Sequence, residues 1–358
     1  MNISSLPSID FYVSVIDNYG DMGFAVNLAH TLHAKYPNTV FRFFSDNEPL
    51  FRVFFPNSIP PWVEYLPLEI LSRTEGIPTP SRLIYSFFDY KLPKAYLVRF
   101  PFPKTIVVFS YFLLHKGLES LHGTTYVLEN GYDTVIHFVP SLLPGGGGII
   151  LNPQIEQEKK KLLRLPIVEA RKQFLEHIDC QNEAEADIYE KKWVSIFVYQ
   201  DTLAEILPVI VSDQSDAVYW ICGNPTGIQE TAHCRFLPFL SLVDYGVFLS
   251  LCDANIVRGE NSLCQALISG KPTLWDIYKE SNGAHREKIE DYCHFLKYTF
   301  PSVEWGQYFH QMQDFNDGTH ASGAFSDFIR YTPEYSAGFD QIGAYIQKRC
   351  DLVEKLEK

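Results

Sequence analysis

A strand that opens directly into a helix, and does so repeatedly, leaves this chain few folds. Asp10 to Ile16 is an apolar-rich run of buried-strand type, and a polar loop containing glycine follows it. From Phe24 to Lys35 the residues Ala25, Leu28, Ala29 and Leu32 recur at helical spacing. After Tyr36-Pro37-Asn38 a second strand, Val40 to Phe44, ends at Ser45-Asp46. That alternation is expected of a parallel sheet with crossover helices, and Thr105 to Phe109 and Val135 to Val139 fit further strands of the same sheet.

Between about Glu156 and Lys192 the composition turns charged and helical, with Asp179-Cys180-Gln181-Asn182 as an interruption. Strand patterns resume at Trp193 to Val198 and continue through Ala217 to Cys222, Ala254 to Val257 and Thr273 to Ile277. A chain of 358 residues exceeds what one hydrophobic core usually supports. The expectation is therefore two α/β domains, residues 1–180 and 181–358, with a cleft available between them. Phe339 to Leu356 carries Ile342, Tyr345, Ile346, Leu352 and Leu356 on one side, predicting a final amphipathic helix able to pack back on the N-terminal domain. Gly145 to Gly148 is expected to be a mobile loop, because no Lys-Ser or Lys-Thr follows to complete a phosphate cradle.

The formal net charge of -13 disfavours a large surface for nucleic acid or an anionic membrane. With 46% hydrophobic and 20% charged residues and no run of membrane-span length, the chain is expected to be soluble. Its start, Met1-Asn2-Ile3-Ser4, has no positively charged segment leading into an apolar stretch, so the cytoplasm is the expected compartment. Seven scattered cysteines without C-x-x-C spacing argue against a disulfide framework and against zinc, and His285 and His294 lack a partner at metal spacing, so no metal ligand is predicted.

Two segments carry chemistry. In the loop Asp17-Asn18-Tyr19-Gly20-Asp21 the glycines at 20 and 23 suit a tight strand-to-helix turn, but Asp17 and Asp21 put carboxylates where a dinucleotide fold would hold a diphosphate. Residue types leave two readings open: Asp21 as a general base, or Asp21 as the cap of a helix starting at about Gly23. The second segment, Cys252 to Ser262, is a strand running into a polar turn and a helix through Ile268, closed by Gly270 and Pro272. Arg258 with the backbone amides of Asn261 and Ser262 forms a candidate diphosphate site, the alternative being an Arg-Glu surface pair with a serine cap. Phe197 and Tyr199 end the first strand of the second domain and Tyr278 follows a later one; each is a candidate for the cleft or for the core.

The motifs V-I-D-N-Y-G-D-M-G near the start and C-D-A-N-I-V-R-G-E-N-S with G-K-P-T-L-W-D-I-Y downstream together resemble the protein-arginine rhamnosyltransferases that modify elongation factor P. The resemblance extends to I-Y-S-F-F-D-Y-K-L-P-K-A-Y-L at 84–97, to F-V-Y at 197–199 and to L-P-F-L-S at 237–241. It implies a GT-B fold of two Rossmann-like domains facing an interdomain cleft. It also implies a dTDP-β-L-rhamnose donor held mainly by the C-terminal domain, and inverting, metal-independent transfer to an arginine side chain of elongation factor P, with no cofactor. Asp21 then matches the catalytic aspartate, Asp17 the carboxylate supporting it, and Glu260 a glutamate needed for activity. The adjoining Asn18, Tyr19 and Gly20, together with Phe197, Tyr199, Phe239, Arg258, Gly259, Asn261, Ser262 and Tyr278, fall in the substrate-binding segments.

The chain departs from that family's pattern where Asn261 replaces an aspartate, Leu242 a base-reading glutamine and Asp276 a histidine, and where Phe109-Ser110-Tyr111-Phe112-Leu113-Leu114 replaces an acidic W-x-N-L-E-Y segment. These departures bear on recognition of the base more than on catalysis. Two other readings stand beside the first: a GT-B transferase with another nucleotide sugar and a non-protein acceptor, and a non-catalytic protein that binds a sugar nucleotide or a translation factor.

Overall fold

Parallel pairing dominates both sheets of the computed structural model, which describes residues 3–358 apart from 16–17, 57, 89, 111–113, 115–116, 118–119, 181–185, 214, 224–227, 280–282 and 319. The chain divides into one unit of Met1–Pro153 with Arg349–Lys358 and another of Gln154–Lys348.

In the first unit β1 (Ser8–Val13) leads through α1 (Asn18–Lys35) to β2 (Val40–Ser45), and α2 (Glu48–Val53) leads on to β3 (Val63–Pro67). The chain then crosses to β4 (Leu83–Phe87), α3 (Lys94–Val98), β5 (Thr105–Phe109), β6 (Thr125–Val127) and β7 (Thr134–Phe138). The sheet order is β3-β2-β1-β4-β5-β7-β6, parallel throughout except for β6 against β7. A parallel strand covered on both faces must be apolar on both, and β1 is. On one face Phe11 meets Phe41, Phe43, Tyr85 and Phe87 at ring separations of 5.5, 5.0, 5.3 and 5.2 Å. On the other Tyr12 stacks on Phe44 at 4.5 Å and donates its hydroxyl to Tyr96. Asp10, fully buried in the same strand, is held by Arg42 at 2.6 Å and by the backbone and hydroxyl of Ser81, the partners a buried carboxylate requires.

The second unit begins with α4 (Pro153–Leu162) and α5 (Ile167–His177). It continues as β8 (Lys192–Phe197), α6 (Gln200–Ser212), β9 (Ala217–Cys222), β10 (Cys234–Leu237), α7 (Leu242–Leu251), β11 (Ala254–Arg258), α8 (Gly259–Ser269) and β12 (Thr273–Asp276). Its sheet, β10-β9-β8-β11-β12, is wholly parallel. The helices α9 (Ala284–Thr299), α10 (Gly306–Asn316) and α11 (Ala321–Arg349) follow.

Three expectations need correction. The division falls at Pro153, not near residue 180, because α4 and α5 are bound into the second unit. The buried Arg171 guanidinium donates to the Leu251, Tyr189 and Lys191 carbonyls, pairs with Asp253 at 2.7 Å and lies over Trp193. Phe174 stacks on Phe248 in the same layer. Second, Phe339 to Leu356 is not one helix: α11 ends at Arg349, and α12 (Leu352–Leu356) starts anew where Asp351 accepts from the Val353 and Glu354 amides. Third, the glycines at 146, 147 and 148 are buried in a packed turn and do not form a mobile loop. A Cβ on Gly146 would lie 2.5 Å from the Ser141 side chain, one on Gly147 2.4 Å from Phe138, and one on Gly148 2.4 Å from the Cys350 carbonyl oxygen.

The last contact is a test of that packing. Gly148 has φ +75° and meets backbone, which cannot swing aside as a side chain can. Gly148→Ala is expected to lose roughly 2–4 kcal/mol of stability from backbone strain and overpacking together, read as a lowered denaturation midpoint. A midpoint equal to wild type would refute the account.

Candidate active site

In an open α/β sheet, ligands bind beyond the carboxyl ends of the strands at the point where strand order reverses. The first sheet reverses between β1 and β4, the second between β8 and β11. Both chemically suggestive segments lie at these points: one follows β1, and the other spans the ends of β8 and β11.

Beyond β1, Asp46 holds the departing chain by accepting from the Ser14 hydroxyl at 2.8 Å and the Val15 amide at 3.0 Å. The helix then starts at Asn18, earlier than the apolar spacing predicts, and this bears on the capping reading of Asp21. It is not a cap for a helix starting at Gly23, since it already lies within the first turn of α1. Its residue is only 6% exposed, at the positive end of the helix dipole, where a carboxylate is favoured. Gly20 and Gly23 do not have left-handed φ; Gly23 instead admits the Phe54 ring, which would lie 3.4 Å from a Cβ there. Tyr19 is exposed and meets Phe54 edge-on at 6.3 Å. Asp17 lies outside the described residues. Across the switch point Phe88, directly after β4, holds a left-handed φ of 54°, secured by its amide donating to the Phe109 carbonyl and by its ring against Phe24. Left-handed backbone at a bulky residue is strained and is found where the surrounding structure enforces it.

In the second unit the strand ends converge on Arg258. Its guanidinium lies 4.6 Å from the Phe197 ring centroid and 5.0 Å from that of Tyr199, a double cation–π contact that holds the cation at the carboxyl edge. Tyr278 meets Tyr199 edge-on at 5.7 Å, and Tyr245 meets Phe197 at 5.9 Å. Arg258 is the residue preceding α8 and adds no side-chain cap. Gly259 makes the strand-to-helix turn at φ +68° with open space where a Cβ would stand. Glu260, Asn261 and Ser262 follow in the first turn, so their amides lie at the positive end of α8. Glu260 pairs with Lys288 of α9 at 3.4 Å, so the surface Arg-Glu pair weighed as an alternative does not account for Glu260. Phe239 is exposed in the turn between β10 and α7, and Leu242 is the first residue of α7, capped by Ser241.

The structure brings Phe197, Tyr199, Arg258 and Tyr278 together. Sequence reasoning missed Asp46, Tyr245 and Lys288, which are remote in sequence from the residues they hold. It noted Asp276 only as a departure. Asp276 is fully buried at the end of β12, directly opposite Arg258 in the strand ladder, and accepts from the Tyr199 amide at 2.7 Å and the Thr202 hydroxyl at 3.0 Å. Burial pushes its carboxyl up to about 6, against the opposing influence of those two hydrogen bonds, Lys279 and Arg258. Among the described residues no group of three or more His, Cys, Asp or Glu side chains could hold a metal ion. No helix among them is long and apolar enough to cross a membrane.

The family model for "Elongation-Factor P (EF-P) rhamnosyltransferase EarP" matches residues 9–358. A protein-arginine rhamnosyltransferase of Pseudomonas aeruginosa is 23% identical over 98% of this chain and 98% of its own length. One from Pseudomonas putida is 26% identical over 78% of this chain and 79% of its own. A solved structure described as "Structural basis for EarP-mediated arginine glycosylation of translation elongation factor EF-P" superposes with a TM-score of 0.61 at 18% identity, covering 98% of this chain and 97% of that one. The two parallel-sheet units are thus the Rossmann-like halves of a GT-B fold.

The buried carboxylate leaves a pH signature. A folded-state value near 6, above the ordinary 3.8, means the folded chain binds this proton more tightly than the unfolded chain does. The contribution is complete below the unfolded value and is lost as pH rises through the folded one. Relative to Asp276→Asn, which cannot titrate, wild type is expected to gain stability as pH falls from about 7 to about 4.5. Parallel denaturation curves for the two proteins check this, and a constant difference across that range would contradict it.

Proposed function

The chain belongs to the EarP family of elongation factor P rhamnosyltransferases, and on that premise we propose that it transfers rhamnose from dTDP-β-L-rhamnose to an arginine side chain of elongation factor P in the cytoplasm. One observation carries the donor half of this reading: a guanidinium fixed over two aromatic rings beside a helix N-terminus, at the strand-order reversal of a parallel sheet. A diphosphate suits that place, because Arg258 can donate to it in bidentate fashion and the first-turn amides of α8 point their positive end at it. Phe197, Tyr199, Phe239 and Tyr278 offer flat apolar surface for the base and the sugar.

The acceptor half falls to the first unit. A guanidinium is a poor nucleophile, since its lone pairs are delocalised and it stays protonated at physiological pH. It must be oriented and must lose a proton as the new bond forms. Asp21, with Asp17, supplies carboxylates for both tasks. In a single displacement the arginine nitrogen bonds to the anomeric carbon, the bond from that carbon to the phosphate oxygen breaks, the proton passes to Asp21, and the configuration inverts. The negative charge leaving on the dTDP is met by Arg258 and by the positive end of α8. Glu260, held by Lys288, belongs to the donor side of this scheme.

The test is to incubate the purified protein with dTDP-rhamnose and its own elongation factor P and to weigh the factor by mass spectrometry. A deoxyhexose increment on arginine is expected. Asp21→Asn is expected to lower the rate by a factor on the order of 100 or more while dTDP binding is retained. An unmodified factor, or an Asp21→Asn enzyme of undiminished rate, would count against the assignment.

A further inference from the structure

The carboxylate of Asp276 joins parts of the second sheet that are not neighbours. The order is β10-β9-β8-β11-β12, so β11 separates the strand that ends before Tyr199 from the strand that ends in Asp276. Even so, one oxygen of Asp276 accepts from the Tyr199 amide at 2.7 Å and the other from the Thr202 hydroxyl at 3.0 Å. Tyr199 is the residue preceding α6, and Thr202 lies in that helix's first turn. The carboxylate therefore draws the start of α6 across the end of β11, where Arg258 stands opposite Asp276 in the ladder. Asp276 does not take the guanidinium as its hydrogen-bond partner; Arg258 lies instead over the Tyr199 and Phe197 rings. Placing a carboxylate in a site with no exposure is unfavourable unless its lone pairs are used, and here they are used to fix the residue whose ring carries the arginine.

Resting on the donor assignment above, we propose that Asp276 is a positioning residue: it holds the Tyr199 ring under the Arg258 guanidinium and so orients that cation for the donor diphosphate. Asp276 touches neither the sugar nor the phosphates in this scheme. Its effect falls on how the donor is held and spares the chemical step. Asparagine can replace it, since the amide oxygen can accept from the Tyr199 N–H and the amide nitrogen can donate to the Thr202 oxygen. Alanine cannot.

Two measurements test this. The first needs no donor: the Arg258 side-chain N–H resonance, assigned by its disappearance in Arg258→Lys, is displaced in wild type by the ring currents of Phe197 and Tyr199. In Asp276→Ala it is expected to move towards the position of a solvent-exposed arginine, and in Asp276→Asn to stay. The second is steady-state kinetics, where Asp276→Ala is expected to raise the donor KM about tenfold, the equivalent of about 1.4 kcal/mol, with kcat within about threefold, and Asp276→Asn to restore KM. Should the alanine variant fail to fold, Thr202→Val removes one of the two anchors and is expected to shift the resonance the same way and to raise KM about threefold. An unmoved resonance in Asp276→Ala, or in Thr202→Val where the alanine variant does not fold, overturns the proposal, as does a loss confined to kcat. A wild-type protein that transfers no rhamnose, with the resonance nonetheless moving in Asp276→Ala, overturns the donor assignment and leaves the positioning role standing.

Discussion

The reversal of strand order in each parallel sheet is the constraint on which the rest of the structure depends. Parallel neighbours cannot be joined by tight turns, so each strand returns through a crossover that covers a sheet face. The crossovers that leave β1 and β4, and those that leave β8 and β11, depart in opposite directions, and a crevice opens beyond the strand ends between them. Polar side chains can stand there without entering a core. That is why Asp21 follows β1, Arg258 ends β11, and the Phe197–Tyr199 segment ends β8, although these residues are far apart in sequence.

The two candidate segments differ in charge. Two carboxylates in the sequence after β1, at 17 and 21, are unfavourable to a bound diphosphate. A guanidinium over two aromatic rings beside the start of α8 makes a locally positive place, in a chain whose net charge is -13. Local fields at a helix end and a fixed arginine outweigh a distant excess of surface carboxylates, which solvent and salt screen. The buried charges elsewhere follow the same logic of compensation. Asp10 with Arg42, and Lys104 with Asp133, are enclosed pairs whose remaining valences are taken by backbone and side-chain partners, and they brace the first sheet away from its chemical edge.

Much of the fold was legible because both sheets are built from short apolar strands alternating with helices. Thr105 to Phe109 and Ala217 to Cys222 agree with the strands residue for residue, and Gly270 caps α8 at φ 72° as its place in the sequence suggested. The start of α1 was read late because its first turn is polar, Asn18 to Asp21, and helical periodicity in apolar residues begins only further on. The glycines at 146–148 looked loose because composition carries no information about how closely Ser141, Phe138 and Cys350 approach them. The division at Pro153 was missed because α4 and α5 are charged outside and their attachment rests on Arg171, Phe174 and Ile155, whose partners Asp253, Phe248 and Gly246 lie far along the chain.

What the sequence determined by itself is therefore local and chemical. Strand and helix periods identify a parallel α/β chain, and residue types in two turns mark the candidate segments with their readings still open, since each of these follows from neighbours within a few residues. What only the tertiary structure decided is which distant residues hold those groups. Asp46 secures the departure from β1, Lys288 pairs with Glu260, and Asp276 reaches past β11 to Tyr199. Such partners are chosen by strand order and by burial, and neither is written in the spacing of residues along the chain.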